Sequence, residues 1–124
     1  MSFKCLSALD LHKLKIIKVP NSIGKLIHLK YLDLSFNWKS ETLPNSITTV
    51  LNLQTLKLYC CGGLKELPKD IRKIVSLKHL YNSGCSNLSH MPRGLGQMAS
   101  LQTLQLCIVS HTGGVGELKK LNNL

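Results

Sequence analysis

Acidic residues are scarce in this chain. Six Asp and Glu stand against sixteen Lys and Arg over 124 residues, for a formal charge of +10. Such an excess would suit an acidic partner or nucleic acid. The lysines, however, are spread from Lys4 to Lys120, so no focused basic stripe forms and nucleic acid is not expected as the partner. Long apolar runs are missing as well. No stretch approaches the roughly 18 residues that a spanning helix needs. The opening MSFKCLSALDLHKLK has neither the apolar run nor the small-residue cleavage site of a secretory signal. The five cysteines are an odd number, which fits a disulfide framework poorly and favours a reducing compartment. A cytoplasmic or nucleo-cytoplasmic location is therefore expected. No G-x-x-x-x-G-K-[ST] loop is present, so no nucleotide cofactor is assigned.

What the chain has is repetition. VPNSIGKL (19–26) returns as LPNSITTV (43–50), LPKDIRKI (67–74) and MPRGLGQM (91–98). Pro20, Pro44, Pro68 and Pro92 are each 24 residues apart, as are Leu29, Leu53, Leu77 and Leu101. A fixed step of this size is the signature of a solenoid. The units begin LSALDLHKL (6–14), LKYLDLSFN (29–37), LQTLKLYCC (53–61), LKHLYNSGC (77–85) and LQTLQLCIV (101–109). Leucines at offsets 0, 3 and 5 place two neighbours on one face of a short strand. One unit cannot bury that face alone, but stacked units can, strand beside strand in a parallel sheet. Each proline fixes φ and withholds a donor where the chain turns away from the strand.

Units two and three fill the pattern L-x-x-L-x-L-x-x-N/C of leucine-rich repeats. The expected fold is an α/β solenoid, a horseshoe fragment of about five repeats of 23–24 residues over 1–124, with parallel strands on its concave face. Offset 8 holds Asn37, Cys61 and Cys85, with Leu14 in the shorter first unit. In this family that position faces inward and bonds the turn backbone, Asn well and Cys weakly. Asn82 replaces the apolar residue of unit four, so a disturbed strand and a weakened core are expected there. Adjacent strands lie about 4.8 Å apart, which puts Cys61 and Cys85 within disulfide range, although both should remain thiols in a reducing compartment.

Offsets 2, 4 and 6 flank the inward leucines and are expected to line the concave, protein-binding face. They are Ala8, Asp10 and His12; Tyr31, Asp33 and Ser35; Thr55, Lys57 and Tyr59; His79, Tyr81 and Ser83; Thr103, Gln105 and Cys107. All three tyrosines fall on this set, and aromatic residues are common interface anchors; strand propensity alone also favours Tyr and Thr. Lys69, Arg72, Lys73 and Arg93 fall on the outer segments, as a solvated basic face or a contact for an acidic neighbour. A metal centre is not expected. CC at 60–61 lacks C-x-x-C spacing, and His79, Cys85 and His90 lie on different faces, whereas zinc needs converging ligands. Catalysis by Cys and His would need a base and an orienting third group, and repeat position already accounts for most of these residues, so no enzyme is read.

The wording of VPNSIGKLIHLKYLDLSFN (19–37), ETLPNSITTVLNLQTLKLYCCGGLKELPKDIRKIVSLKHL (41–80) and GGVGELKKLNNL (113–124) resembles the leucine-rich-repeat region of plant intracellular nucleotide-binding disease-resistance proteins of the coiled-coil class. The resemblance covers roughly residues 3–124. It implies a non-catalytic interaction module in pathogen recognition and/or autoinhibition during defence. The implied partners are a pathogen effector, a guarded host protein, or the nucleotide-binding domain of the same protein. A stand-alone signalling scaffold similar to Ras-binding repeat proteins is the alternative, though those usually step by 23 residues. HTGGVGELKK (111–120) is read as an irregular loop, Gly-rich over 111–117, before Leu118, Leu121 and Leu124 resume the spacing. The chain starts and stops inside repeats without polar caps, so a piece of a longer array is expected.

Overall fold

The structure, a computed structural model, describes residues 5–88, Leu101 and the strand Thr103–Leu106. Five short strands form one parallel sheet in sequence order: β1 (Ala8–Asp10), β2 (Tyr31–Asp33), β3 (Thr55–Lys57), β4 (His79–Asn82) and β5 (Thr103–Leu106). The register follows the repeat. Leu9 pairs with Leu32, Leu32 with Leu56, Leu56 with Leu80 and Leu80 with Leu104. Consecutive parallel neighbours need a crossover on each turn, and here every crossover is the rest of one repeat.

The leucine spacing explains the core. Leu29, Leu32 and Leu34 are buried in coil two, and Leu53, Leu56 and Leu58 in coil three, joined by Leu77 and Leu80 from coil four. The return segments close the far side with Ile23, Ile47, Val50, Ile71 and Ile74. Each fully buried aliphatic side chain contributes about 1.5–3 kcal/mol, so the stack rather than any one coil carries the stability. Coil one closes the stack less completely: Leu6, Leu9 and Leu11 are only partly buried.

The prolines start the return segments. Pro20 and Pro44 hold φ near −70° and −69° immediately before 3-10 turns at Asn21–Lys25 and Asn45–Thr49. A third turn spans Ile71–Lys73. The carbonyls of Pro20, Pro44 and Pro68 accept from the N–H groups of Ile23, Ile47 and Ile71, each at 3.1 Å. Three to five residues with one inward isoleucine are too few for an α-helix, so the outer side of the described coils is 3-10. These turns do not pair as strands do. Polar side chains stitch them instead: Ser46 Oγ donates to Asn21 O at 2.7 Å and Asn52 Nδ2 to Ile27 O at 3.3 Å. Pro92, the Gly-rich stretch 111–117 and the leucines from 118 onward lie outside the described residues.

The offset-8 ladder forms from coil two upward. Buried Asn37 donates from Nδ2 to Leu11 O and Leu34 O, both at 2.9 Å. Its Oδ1 accepts from the N–H groups of Leu14 (3.2 Å) and Ile16 (3.0 Å). Cys61 Sγ donates to Leu34 O at 3.2 Å and Cys85 Sγ to Leu58 O at 3.0 Å. Both thiols are free. Leu14 departs from its expected inward place and is exposed, because Asn37 of the next coil satisfies the backbone that an inward residue would have served. Asn82 does not disturb its strand. It is fully buried and pairs with Leu106 inside the four-residue β4.

One residue after the offset-6 row, Lys13, Phe36, Cys60 and Gly84 all take positive φ, between 55° and 84°. Only Gly does this without steric cost. The column persists because the ladder continues through it: Lys13 N donates to Ser35 O, Phe36 N to Tyr59 O and Cys60 N to Ser83 O. At Gly84 a Cβ would lie 2.9 Å from Cys60 Sγ, so glycine is needed there for space as well as angle.

Candidate functional site

Side chains alternate across the strands, so the rows between the buried leucines emerge on the open face of the sheet. The first row is Ala8, Tyr31, Thr55, His79 and Thr103, aligned by register. The second is Asp10, Asp33, Lys57, Tyr81 and Gln105, aligned likewise. Asp10 and Ala8 are exposed, and Tyr31, Asp33, Thr55, Lys57, Tyr59, His79 and Tyr81 are half-buried. Thr103 and Gln105 join the rows through the backbone pairing of β5, and Cys107 lies outside the described residues.

Ser35 is the exception. It is buried and so does not belong to the open face. Its Oγ accepts from Tyr59 N at 3.0 Å and its own N–H donates to Asp33 Oδ1 at 2.9 Å. A side chain short enough to fold back on the backbone is drawn under the surface where the strand ends. His12, one coil below, donates its N–H to Asp10 Oδ1 at 3.1 Å but stays exposed.

The face has two chemical ends. At β1 and β2, Asp10 and Asp33 sit side by side, and His12 Nδ1 hydrogen-bonds Asp10 Oδ1. The His12 side chain and then its backbone N–H hold the Asp10 carboxyl below the usual aspartate range. At β3 and β4 the Tyr59 and Tyr81 rings stack with centroids 5.4 Å apart, and His79 stacks on Tyr81 at 6.1 Å. Burial raises the Tyr59 phenol above its ordinary value. Lys57 joins the two ends. Its ammonium lies 5.2 Å from the Tyr31 ring centroid, and the hydrogen bond with Tyr31 raises its pKa.

The donor atoms of Asp10, His12 and Asp33 lie within 4.8 Å of one another, close enough for a cation to bridge. The metal reading of the sequence weighed histidines and cysteines and missed this trio; Asp at offset 4 in successive units was the signal. Asp10 and His12 are exposed, Asp33 is half-buried and Asp10 is already committed to His12, so no resident metal is assigned. Of the residues weighed earlier, Cys85 is inside the core, His79 is on the open face, and His90 is outside the described residues. The Cys85 thiol is pushed up by its hydrogen bond with Cys61 and by burial, which keeps it protonated. Inside the stack, a void of about 10 Å³ lined by Val19, Leu34, Asn37, Leu43 and Cys61 has room for one water and no ligand. On the outer segments Lys69, Arg72 and Lys73 are exposed, with Lys73 3.6 Å from Asp70; Arg93 lies outside the described residues.

The family profile described as a leucine-rich repeat region matches residues 1–124. The chain belongs to this leucine-rich-repeat family. Among solved structures, the repeat domain of the type III effector XCV3220 (XopL) is 30% identical, with a TM-score of 0.62, over 80% of this chain and 30% of that one. A leucine-rich-repeat protein of Leptospira interrogans, LIC12759, is 29% identical with a TM-score of 0.55, over 91% of this chain and 34% of that one. The repeat chain thus spans about a third of the length of these solved relatives. No curated protein matches it. Leucine-rich repeats are generally non-catalytic modules for binding other proteins, and among the described residues no helix is long and apolar enough to cross a membrane.

Proposed function

We propose that this leucine-rich repeat is the interaction region of a plant intracellular nucleotide-binding disease-resistance protein of the coiled-coil class. It recognises a pathogen effector or a guarded host protein, and/or holds the nucleotide-binding domain of the same protein inactive. The observation that carries the binding role is the open sheet face, where the stacked Tyr59, Tyr81 and His79 stand beside the charged row Asp10, Asp33 and Lys57. Rigid aromatics on a sheet lose little entropy when a partner covers them. The plant assignment draws on the sequence wording: the 24-residue step, the LP-x-S-I turns, and cysteine at offset 8. The module works in the cytoplasm or between cytoplasm and nucleus, without a cofactor or a reaction of its own.

Five strands about 4.8 Å apart make a face roughly 20 Å wide. A standard interface needs about 800 Å² per partner, so further repeats would complete it. Sequencing the full transcript and the genomic DNA upstream of Met1 tests the assignment. An in-frame exon encoding a phosphate-binding loop of a nucleotide-binding domain is the expected result. A transcript that starts at Met1 with no such exon would remove the resistance role and leave a stand-alone repeat protein.

A further inference from the structure

A second surface lies off the open face, on the loops that follow β1 and β2. Four large apolar side chains are exposed there: Leu14 (58%), Ile17 (71%), Phe36 (42%) and Trp38 (56%). Four lysines are interleaved with them, Lys13, Lys15, Lys18 and Lys39, all exposed. The two loops form one surface, because Asn37 Oδ1 binds the N–H groups of Leu14 and Ile16, and Lys13 Nζ lies 5.1 Å from the centre of the Phe36 ring. Lys39 Nζ likewise lies 5.2 Å from the Trp38 ring centroid.

This edge is held rigidly. Phe36 and Trp38 flank the buried Asn37, so the chain alternates out, in, out around a residue bonded to coil one and to its own coil. Coil three approaches from the other side: a Cβ on Gly63 would lie 2.3 Å from the Trp38 carbonyl oxygen. Exposed aromatics whose backbone is fixed in this way are preorganised for contact.

We propose that this edge docks an acidic, apolar segment of a protein. Charge complementarity sets the sign: on the loop stretches 11–18 and 36–39 there are four lysines and no carboxylate. The placement of the ammonium groups sets the class. A lipid surface needs the rings to pass beyond the cations into the acyl boundary. Here two of the cations sit over the rings. A peptide can set a carboxylate against each ammonium while its apolar side chains cover Leu14, Ile17 and the ring edges. This surface is separate from the open sheet face and does not depend on the proposed disease-resistance role.

The test uses the whole chain and a displayed random-peptide library. Peptides recovered on the folded protein should be rich in Asp and Glu beside Leu, Ile or Phe. Their synthetic forms should change the emission of Trp38, the only tryptophan in the chain. Binding should fall at least about tenfold on Trp38→Ser and on Lys13→Glu/Lys39→Glu, weaken with salt, and persist on Tyr81→Ala. Circular dichroism melts matching the parent's would show that these exposed changes leave the fold intact. Recovered peptides without acidic enrichment, or indifferent to Trp38→Ser, would overturn the proposal. So would a Trp38 emission shift produced by phosphatidylserine vesicles and by none of the peptides, which would make the edge a lipid surface.

Discussion

Asp10 gives the first prediction at the residue scale. Its carboxyl is held low by the His12 side chain and backbone. A depressed carboxylate adds stability above its unfolded pKa of about 3.9, and that contribution is lost as pH falls through the folded value. Carboxyl-detected NMR should therefore find Asp10 titrating below an ordinary aspartate, and His12→Ala should move it back up. Because the group is exposed, the melting temperature should hardly respond. The thiols give a second prediction. Exposed Cys5 and Cys60 should alkylate quickly in the native protein, while buried Cys61 and Cys85 react only on unfolding. Mass spectrometry of timed labelling checks this, and fast labelling at Cys85 would contradict the thiol ladder. The ladder was legible in the sequence because Asn37, Cys61 and Cys85 recur at one offset. Buried Ser35 and exposed Leu14 were not legible, since burial past the end of a strand depends on which neighbouring coil satisfies the backbone. The left-handed column at offset 7 was equally silent except at its glycine: Gly84 could announce its angle, whereas Lys13, Phe36 and Cys60 are held in it by the coils around them.

At the scale of the element, coils one to three each run from a three-residue strand through a turn to a short outer segment opened by proline, and the offset-8 residues Asn37, Cys61 and Cys85 pin the backbone of the turns. The parallel sheet and its register were readable because leucines at 0, 3 and 5 recur with a fixed step. The 3-10 character of the outer side was not spelled out, although so few residues between proline and the next leucine leave little room for anything longer. Removing the pin should cost more than removing one contact. Asn37→Ala takes away an acceptor for two N–H groups and a donor to two carbonyls, so a loss of about 2 kcal/mol or more is expected in urea denaturation. Asn37→Cys should recover little of it, because a thiol donates to the carbonyls but accepts poorly from Leu14 and Ile16. In the core, Leu56→Ala should cost about 2–5 kcal/mol by the same measurement.

For the whole molecule, division of labour follows from burial. The leucine rows hold the coils together, and the rows between them are free to be chosen for binding. Composition pointed to a basic protein, yet the open face is not uniformly basic: Asp10 and Asp33 lie at one end and the stacked tyrosines at the other. The placement of the tyrosines by offset was visible in the sequence; their stacking required neighbouring coils in register. Tyr59→Ala/Tyr81→Ala should therefore weaken partner binding without much change in melting temperature. The most direct test of the face as a binding surface is site-specific photo-crosslinking with p-benzoylphenylalanine in place of Tyr81, compared with the same group in place of the exposed Arg72 on the outer side. The account predicts a discrete crosslinked protein from position 81 and none from position 72. Crosslinks from position 72 alone, or equal crosslinks from both, would contradict it.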